Sequence, residues 1–457
     1  MNIVTLLAIV LEIDDRWGVG TMPNADQEIS LPLIADLTAP CSDRGRPPHV
    51  PGTSLAGSLR SHLREGLRVA WLGSEPPAWE ESTGDVKYVP SRLRLLGCLM
   101  VDGHQIASRG VTAVNARRRA AAGRTLRIEQ WAHPGTIVVC AEHSGEPSPD
   151  LIGELRSWEP VIGRSASTGM GRAWVSSVRS LRLDLDKAEH LNWWLTDCRV
   201  GWFSGGAAPD GATESAYSGR VPHADRDVVL SIQWRVREPI HLGTGDADTV
   251  TDVKGDNHER RHTVAHVFTV DDLCVVPGSS WKGIFRHRTA YILRSCGASE
   301  TEVNTVQDYL FGATGHRGVL IFDDARTGVG ANVRRTHAPI DRFTGGALEG
   351  GLHTLYAVER GVEFTQRIRV RVIPTRLPDE AAMKDVVAKA VPKELANLLC
   401  HVVRDCSDGL VGIGRGSSRG YGWIEAVGGA SATPILLRDV LAAVPAKEED
   451  PATEEIQ

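Results

Sequence analysis

The chain has 457 residues, a formal net charge of −6, 42% hydrophobic residues and 24% charged residues. This length provides for two or three domains, each with a buried core, and the composition is that of a globular protein. No uninterrupted apolar run is long enough to predict a membrane span. The negative net charge does not exclude nucleic acid as a ligand, because a local basic face can bind phosphate on an acidic protein.

The N-terminal segment 3–11 is apolar, but it has no basic leader and no cleavage pattern of small residues, and it runs into Glu12, Asp14 and Asp15. The eight cysteines are dispersed, without a Cys-x-x-Cys pair. They are expected to be reduced thiols, and the predicted compartment is the cytoplasm.

The first half of the chain opens with a predicted strand at 3–13 that leads into Gly-Val-Gly at 18–20. A Pro-Gly turn at 51–52 is followed by hydroxyl residues that can cap a helix and by Leu55, Leu59 and Leu63 at helical spacing. The pattern predicts a strand, a loop and then a helix that begins at the Pro-Gly turn.

The second half repeats this order. A predicted strand at 228–236 leads into Gly-Thr-Gly at 243–245, and a second Pro-Gly corner at 277–286 reads Pro-Gly-Ser-Ser-Trp-Lys-Gly-Ile-Phe-Arg. Apolar side chains in this helix are predicted to share one buried face; they are Trp281, Ile284, Phe285 and Ile292.

The two corners are 226 positions apart, and the same offset relates Asn115 to Asp341 and Gly135 to Gly361. Further on, the glycine-rich loop 163–171 resembles the loop 414–422 at an offset of 251, so the second half has about 25 extra residues, placed in the helix-like segment 379–403. These offsets predict a tandem duplication. The expected divisions are a first domain 1–203, a linker 204–227, a second domain 228–444 and a disordered acidic tail 445–457.

Each half combines strand-like and helix-like patterns. The predicted class is α+β, with helices on one side of an antiparallel sheet.

Four motifs occur in a characteristic order in the second half. They are the Pro-Gly corner, a Leu-Phe-Gly at 310–312 followed by the strand-like 319–325, the segment 340–347 and the glycine-rich loop. This order resembles the RAMP superfamily (repeat-associated mysterious proteins), specifically the backbone subunits of type III CRISPR effector complexes. The first half is a degenerate copy, with Ala56 in place of Lys282 and Asn115 in place of Asp341. The whole chain therefore resembles a fusion of two backbone subunits, as in type III-D systems.

The resemblance implies two tandem ferredoxin-like, RRM-related domains. Each is expected to hold CRISPR RNA along a palm-like face and to insert a thumb hairpin, at 111–124 and 332–348, that kinks the guide–target duplex. The implied partners are CRISPR RNA, complementary target RNA and other type III effector subunits, without a membrane.

Residues of the corners, thumbs and glycine loops are predicted to bind RNA, because helix starts, Lys and Arg suit phosphate. They are Ser54, Arg60, Arg117, Arg118, Arg119, Arg164, Ser279, Ser280, Lys282, Arg286, Arg334, Arg335, Arg342, Arg415 and Arg419. The alternative interpretations are capped corners, solvated Arg-rich loops and simple tight turns.

Family members that cut target RNA use an Asp in the loop before the Pro-Gly corner, with a divalent metal. By this resemblance Asp26 and Asp252 are the predicted catalytic and metal-binding residues, and Mg²⁺ is the expected ion. The second loop also offers Asp246, Asp248 and Asp256. Neither half has the usual Asp two residues before a Pro, since Ser30 is the residue two before Pro32 and the second loop contains no Pro. The alternative is a carboxylate-rich loop without activity.

No zinc site is expected. His258, His262 and His266 recur every four residues, which on a helix would put three imidazoles on one face, but RNA contact or solvent exposure is the preferred interpretation. The alternatives to a metal-dependent endoribonuclease are a structural RNA-binding subunit and a stand-alone enzyme that processes repeat RNA. The latter needs a His with a Tyr or Lys, and His241 is one available histidine.

Overall fold

Most of the chain is described by a computed structural model. The described residues are 2–23, 29–39, 46–74, 88–101, 106–115, 120–196, 198–219, 226–254, 258–328, 330–348, 351–371, 380–429 and 431–445. Internal contacts divide the protein into two compact units. The first comprises Met1–Ala113, Ala121–Asp225 and Val372–Pro378, and the second comprises Val114–Ala120, Arg226–Arg371 and Asp379–Gln457.

The elements up to residue 218 are β1 (Ile3–Ile13), α1 (Gly52–His62), α2 (Glu65–Leu72), β2 (Leu93–Met100), β3 (Ile106–Val111), β4 (Val114–Asn115), β5 (Ala120–Ala121), β6 (Arg127–Ala132), β7 (Gly135–Ser144), α3 (Pro149–Arg156), β8 (Ala173–Asp184), α4 (Ala188–Leu195), α5 (Cys198–Phe203) and β9 (Thr213–Ser218).

The elements from residue 228 onward are β10 (Val228–Val236), β11 (Gly243–Lys254), β12 (His258–Val267), β13 (Thr269–Val270), β14 (Leu273–Val276), α6 (Gly278–Ser295), α7 (Glu300–Phe311), β15 (Leu320–Phe322), β16 (Ala325–Arg326), β17 (Asn332–His337), β18 (His353–Val358), β19 (Glu363–Val370), α8 (Glu380–Ala390), α9 (Lys393–Ser407), β20 (Ile424–Ala426) and α10 (Leu437–Ala442).

The first unit is built on a sheet with the strand order β2-β7-β1-β8-β9, in which all neighbours are antiparallel. The central strand β1 is apolar at successive positions, so both of its faces need cover. Leu7 and Ile9 pack with Leu55 of α1 and Leu151 of α3. The opposite face packs against Trp202 of α5. The prediction of helices on one side of the sheet is therefore wrong for this unit.

The predicted linker 204–227 contains part of this sheet. Residues Thr213–Ser218 form β9, which pairs with β8. This part of the segment is an edge strand rather than a free connector.

The second unit contains a sheet with the strand order β15-β19-β10-β20, again with antiparallel neighbours. Aromatic side chains of helix α6 pack against aromatic side chains of this sheet. The ring centroids of Trp281 in α6 and Trp234 in β10 are 5.6 Å apart, and those of Phe285 in α6 and Phe322 in β15 are 5.4 Å apart. The buried stripe of α6 continues through Thr289 to Leu293 at steps of four residues. Ile284 and Ile292 lie beside this stripe rather than on it. They are therefore only half-buried, contrary to the prediction.

The two sheets share one connection pattern. In each, the strand that opens the unit lies between the third and the fourth core strands, giving β2-β7-β1-β8 and β15-β19-β10-β20. Helices follow the first and the third of these strands in both units. The same order of elements therefore folds into the same strand arrangement twice.

The second unit also contains the four-stranded sheet β11-β12-β18-β17. Strands β11 and β12 form a long antiparallel hairpin, and β12 pairs in parallel with β18. The predicted loop between the first strand and the second corner is therefore largely a hairpin. Residues His258–Val267 are a strand, so the helical arrangement that would put the three histidines on one face does not form. Among the described helices, none combines the length and the apolar character that a bilayer span requires.

Candidate nucleic-acid interface

The second Pro-Gly corner begins helix α6, as predicted, but a carboxylate already lies at its N-terminus. The Gly278 N–H donates to Asp324 Oδ1 at 2.7 Å. Ser279 is exposed and Ser280 is half-buried, and neither side chain caps the helix. A carboxylate at this position satisfies an N–H group and offsets the helix dipole. The predicted phosphate seat at this helix start is thus partly occupied by the protein itself.

Lys282 lies in a group of cations one turn further along α6. Burial, and then the charges of Arg286 and Arg371, lower the pKa of Lys282. Burial and the nearby Arg317 likewise lower the pKa of Arg371. We call Lys282, Arg286, Arg317 and Arg371 the Lys282 cluster. Like charges held together in this way attract an anion such as phosphate.

Arg286 and its counterpart Arg60 also have a structural role. Arg286 Nη1 donates to the carbonyl of Gly312, the residue that ends α7, at 2.7 Å. Arg60 Nη2 donates to the carbonyl of Leu72 at 2.7 Å, and Nη1 to that of Gly73 at 3.2 Å, at the end of α2. Each arginine therefore satisfies carbonyls at a helix C-terminus. Ser54, on the first corner, is exposed.

The second glycine loop carries two outward-facing cations. Gly414 has φ +82°, and a Cβ there would meet the His241 carbonyl oxygen at 2.5 Å, so this close approach requires glycine. The next residue, Arg415, donates its backbone N–H to the same carbonyl at 2.9 Å. The side chains of Arg415 and Arg419 are exposed, and neither guanidinium forms a hydrogen bond or ion pair with another residue that the structure describes.

This loop closes one side of a cavity of about 580 Å³. The volume is in the range of sites that hold a small ligand, roughly 300–1,000 Å³. The loop contributes Arg415, Gly416, Arg419 and Tyr421, and the sheet β12-β18-β17 with the turn after it contributes Thr263, Ala265, His337, Ala338, Pro339, His353, Thr354 and Leu355. We call this the glycine-loop cavity. Among the residues that the structure describes, its lining includes two arginines and two histidines but no carboxylate.

The histidines of the cavity come from neighbouring strands. His337 of β17 lies directly opposite His353 of β18, and their rings stack with centroids 5.3 Å apart. His337 Nε2 and the Tyr421 hydroxyl are 2.7 Å apart, which joins the sheet to the loop by a hydrogen bond. Burial, His353, Arg419 and Arg335 each lower the pKa of His337. The described lining is thus cationic, as an anion site requires, with titratable groups beside it.

His241, the available histidine named from the sequence, is outside this lining. It is buried, and its Nδ1 lies 2.7 Å from the Tyr356 carbonyl oxygen, to which the ring N–H donates. Burial lowers the pKa of His241, which keeps the ring neutral. The contact of His241 with the loop is made by its backbone carbonyl, which accepts the Arg415 N–H.

The first glycine loop uses its arginine differently. Arg164 Nη2 donates to the Leu31 carbonyl at 2.9 Å and also to the carbonyl of Gln130. Burial is the largest cause of a lowered pKa for Arg164. Its Nη1 is buried without a hydrogen-bond partner among the described residues. This guanidinium holds protein segments together and is turned away from solvent.

The arginines of the predicted thumb of the second half differ in pairing and in exposure. Arg335 forms an ion pair with Glu359, with Nη2 at 3.0 Å and 2.9 Å from the two carboxylate oxygens. Arg334 and Arg342 are exposed. The turn that carries Arg342 is organised by Asp341, whose Oδ1 accepts the N–H groups of Phe343 and Thr344 at 2.7 Å and 3.1 Å. These hydrogen bonds lower the pKa of Asp341.

The structure describes the side chain of neither predicted catalytic residue, Asp26 or Asp252. Asp26 and the Arg117–Arg119 run are outside the described residues. Asp252 lies in β11, where its backbone pairs with Arg260 of β12. A search of the described residues for three or more clustered His, Cys, Asp or Glu side chains finds no metal site.

A comparison with protein families gives one assignment. Residues 235–425 match the RAMP superfamily. The match supports RAMP membership for this part of the chain, and it contains the Lys282 cluster and the glycine-loop cavity. It indicates a CRISPR-associated RNA-binding function and an association with CRISPR RNA. The comparison with curated proteins finds no match.

Within the RAMP segment, sequence reasoning found Lys282, Arg415 and Arg419 but missed their neighbours. Arg317, Arg371, His337 and His353 come from other elements, distant in the chain, and join these residues only when the protein folds. Tyr421 was missed although a usable signal was present, because it lies inside the glycine loop itself.

Proposed function

We propose that this chain is a backbone subunit of a type III CRISPR effector complex. In this proposal it binds CRISPR RNA, holds the duplex of guide and target RNA, and promotes cleavage of target RNA by attack of the ribose 2′-hydroxyl. The observation that carries the proposal is the glycine-loop cavity, with Arg415 and Arg419 exposed and no carboxylate among the described residues of its lining, inside the segment that matches the RAMP superfamily.

The proposal includes two tandem ferredoxin-like halves. It is supported by the strand order that both units share, with the opening strand between the third and the fourth core strands and a helix after the first and the third. The duplication read from the offsets of 226 and 251 residues agrees with that order.

RNA binding follows from the charge and exposure of the cavity. Arginine guanidinium groups form bidentate contacts with phosphate, and phosphate contacts supply most of the affinity of a sequence-independent binder. A backbone subunit has to accept any guide sequence, so it needs phosphate contacts more than base contacts. The Lys282 cluster offers a second position for phosphate on α6.

The cleavage step rests on the resemblance alone. Asp26 and Asp252 are the residues proposed to hold a divalent metal. When bound, the ion would stabilise charge on the phosphate or orient the attacking hydroxyl. The contribution of the protein would be to kink the RNA so that the 2′-oxygen is in line with the scissile bond.

A direct test uses the assembled complex with guide RNA and a labelled target. Asp26→Ala and Asp252→Ala, tested singly, should each remove one cleavage product while target binding is retained. Unchanged product patterns in both variants would reject these residues. Persistent cleavage at a 2′-deoxy position would rule out attack by the 2′-hydroxyl.

RNA binding is tested separately by Lys282→Ala in a salt series, with Ala56→Ser at the equivalent position of the first half as the control. Loss of one phosphate contact should lower the slope of log affinity against log salt by about 0.7. An unchanged slope would remove Lys282 from the interface. A complex that binds target but never cleaves it supports the alternative of a structural RNA-binding subunit.

One observation favours a second candidate function, that of a metal-independent nuclease acting on repeat RNA. His337 and Tyr421 are hydrogen-bonded at 2.7 Å beside Arg415 and Arg419, and such a pair has the groups needed for acid–base chemistry at a phosphate. Cleavage of repeat RNA by the isolated chain in EDTA, abolished in His337→Ala, would establish this function. Isolated protein that leaves repeat RNA intact would reject it.

A further inference from the structure

We infer that His337 takes up a proton when an RNA phosphate enters the glycine-loop cavity, so that RNA binding there strengthens as the pH falls. The inference rests on the RNA-binding function proposed above and adds that this binding is coupled to protonation of His337. The ligand chemistry is a phosphodiester anion held between a protonated imidazole and the two arginines of the loop.

The first step is the environment of His337 in the free protein. Its own strand contributes Arg335, and β18 contributes the stacked ring of His353. The glycine loop contributes Arg419 and the Tyr421 hydroxyl. Glu359, whose charge acts on Tyr421, forms an ion pair with Arg335. Among the side chains that the structure describes around it, a protonated His337 would therefore face cations and neutral groups.

The second step is the effect of an anion. A phosphate between Arg415, Arg419 and His337 replaces repulsion among cations with attraction to a shared negative charge. An opposite charge within about 4–6 Å favours the protonated imidazole. The hydrogen bond formed by a charged donor is also roughly twice as strong as that of a neutral one.

The third step is the hydrogen bond to Tyr421. When His337 Nε2 carries no proton, the Tyr421 hydroxyl donates to it across 2.7 Å. When Nε2 is protonated, the ring donates and the Tyr421 oxygen accepts, which leaves the hydroxyl proton available for a phosphate oxygen. Protonation therefore supplies a donor to the ligand as well as a charge.

The other cavity histidine is less suited to this role. His353 Nδ1 lies 3.3 Å from the Gly351 carbonyl oxygen of its own turn. His337 is the ring that bridges the sheet and the loop, and Arg419 acts directly on its charge.

The sign of the pH dependence follows from linkage. The pKa of His337 in the free protein lies below its ordinary value of 6.5, for the causes given above, and a bound phosphate raises it. Between these two pKa values binding takes up a proton, so the affinity rises as the pH falls through the pKa of the bound state. The rise ends below the pKa of the free state, and its steepest slope is about tenfold per pH unit for one proton.

The experiment measures the affinity of the full chain for a short single-stranded RNA by fluorescence anisotropy, at constant ionic strength, from about pH 8 to about pH 5.5. We expect the wild-type affinity to rise by about three- to tenfold as the pH falls. His337→Gln keeps a hydrogen-bonding side chain that does not titrate, and its affinity should lose this pH slope. The matched control, His401→Gln, changes a histidine on α9 outside the cavity and should keep the wild-type slope.

Two outcomes overturn the inference and leave the proposed function intact. One is RNA binding by wild type that does not change with pH, and the other is a wild-type slope retained in His337→Gln. Failure to bind RNA at every pH would instead reject the proposed function, and the inference with it.

An independent measurement on wild type removes the risk that a variant is misfolded. Imidazole C–H resonances followed by NMR should show the pKa of His337 rising when RNA is added. Inorganic phosphate alone, in a second titration, should raise it less if the site is built for a polynucleotide backbone. An unchanged His337 pKa with saturating RNA overturns the inference.

Discussion

The two glycine loops share features of backbone conformation, but their arginine side chains have different partners. Residues 163–171 and 414–422 correspond at an offset of 251, and Gly163 and Gly414 both have φ +82° and both lie against a carbonyl oxygen. The Ile162 N–H donates to Gly171 in the first loop, and the Ile413 N–H donates to Gly422 in the second. The conformation is therefore set by glycine and backbone hydrogen bonds, independently of the side chains.

The loops differ at three corresponding positions, in the surroundings of the side chain at the first and in residue type at the other two. Arg164 binds the carbonyls of Leu31 and Gln130, whereas Arg415 is exposed in the cavity lining. Thr168 corresponds to Arg419, and the buried Met170 corresponds to Tyr421. The same loop is a structural support in the first half and a candidate phosphate site in the second. A duplicated backbone motif thus does not imply a duplicated function.

The largest expected effect tests the second loop. Arg415→Gln combined with Arg419→Gln should lower RNA affinity by about 10- to 100-fold near 0.1 M salt, and should reduce the salt slope by about 1.4, because two phosphate contacts are lost. Filter binding in a salt series measures both quantities. The control with the same change in net charge is Arg404→Gln combined with Arg438→Gln, and equal losses in the two double variants would contradict a local site.

The next prediction separates the two loops by stability. Arg164→Ala should lower the free energy of unfolding by about 2 kcal/mol, because two carbonyls lose a charged donor. Arg415→Ala, at the equivalent position, should change it by less than about 0.5 kcal/mol, since its side chain is exposed. Urea unfolding followed by tryptophan fluorescence measures the difference. Equal destabilisation by both changes would show that the contrast between the loops is not real.

A smaller loss of stability is expected for the arginine that binds a helix C-terminus in each half. Arg60→Ala and Arg286→Ala should each reduce the free energy of unfolding by about 1–1.5 kcal/mol, because carbonyls at the end of α2 or α7 lose their donor. The thermal midpoint of each variant provides the measurement. Ser54→Ala is the control, since its side chain is exposed at the start of α1, and a loss of similar size there would remove the argument for arginine.

The smallest effect concerns the turn at 341–345. Hydrogen bonds from Thr344 and Phe343 lower the pKa of Asp341, so the ionised carboxylate stabilises the turn above the ordinary aspartate range. That contribution is lost as the pH falls through the lowered pKa, below about pH 4. Amide hydrogen exchange at Phe343 and Thr344 should therefore speed up there, beyond its intrinsic pH dependence.

Asn115 has the corresponding position in the sequence of the first half, although it lies in β4, and the change Asp341→Asn introduces the same residue type into the turn. Asp341→Asn keeps an oxygen acceptor that does not titrate, so its turn should be insensitive to acid, as an asparagine turn is expected to be. The same acid profile in Asp341→Asn and wild type would show that another group is responsible.

Local elements of the fold were readable from the sequence. Periodicity gave β1 and β10 with the observed bounds, and the Pro-Gly corners marked the starts of α1 and α6. These signals are local, since they depend on side-chain spacing and on turn chemistry over a few residues. The hairpin of β11 and β12 was missed because its charged, alternating residues carry little apolar periodicity, and pairing between the strands stabilises it.

For the candidate site, sequence alone identified the cations and the glycine loops, because residue type and loop chemistry are local properties. Only the tertiary structure decided which cations face solvent. Arg164 and Arg415 have the same place in their loops, but carbonyls from distant segments bind one, while His337, His353 and Tyr421 surround the space beside the other. The reason is physical: whether a guanidinium binds protein or ligand depends on the acceptors that folding brings within hydrogen-bonding distance, and these are not encoded near it in the chain.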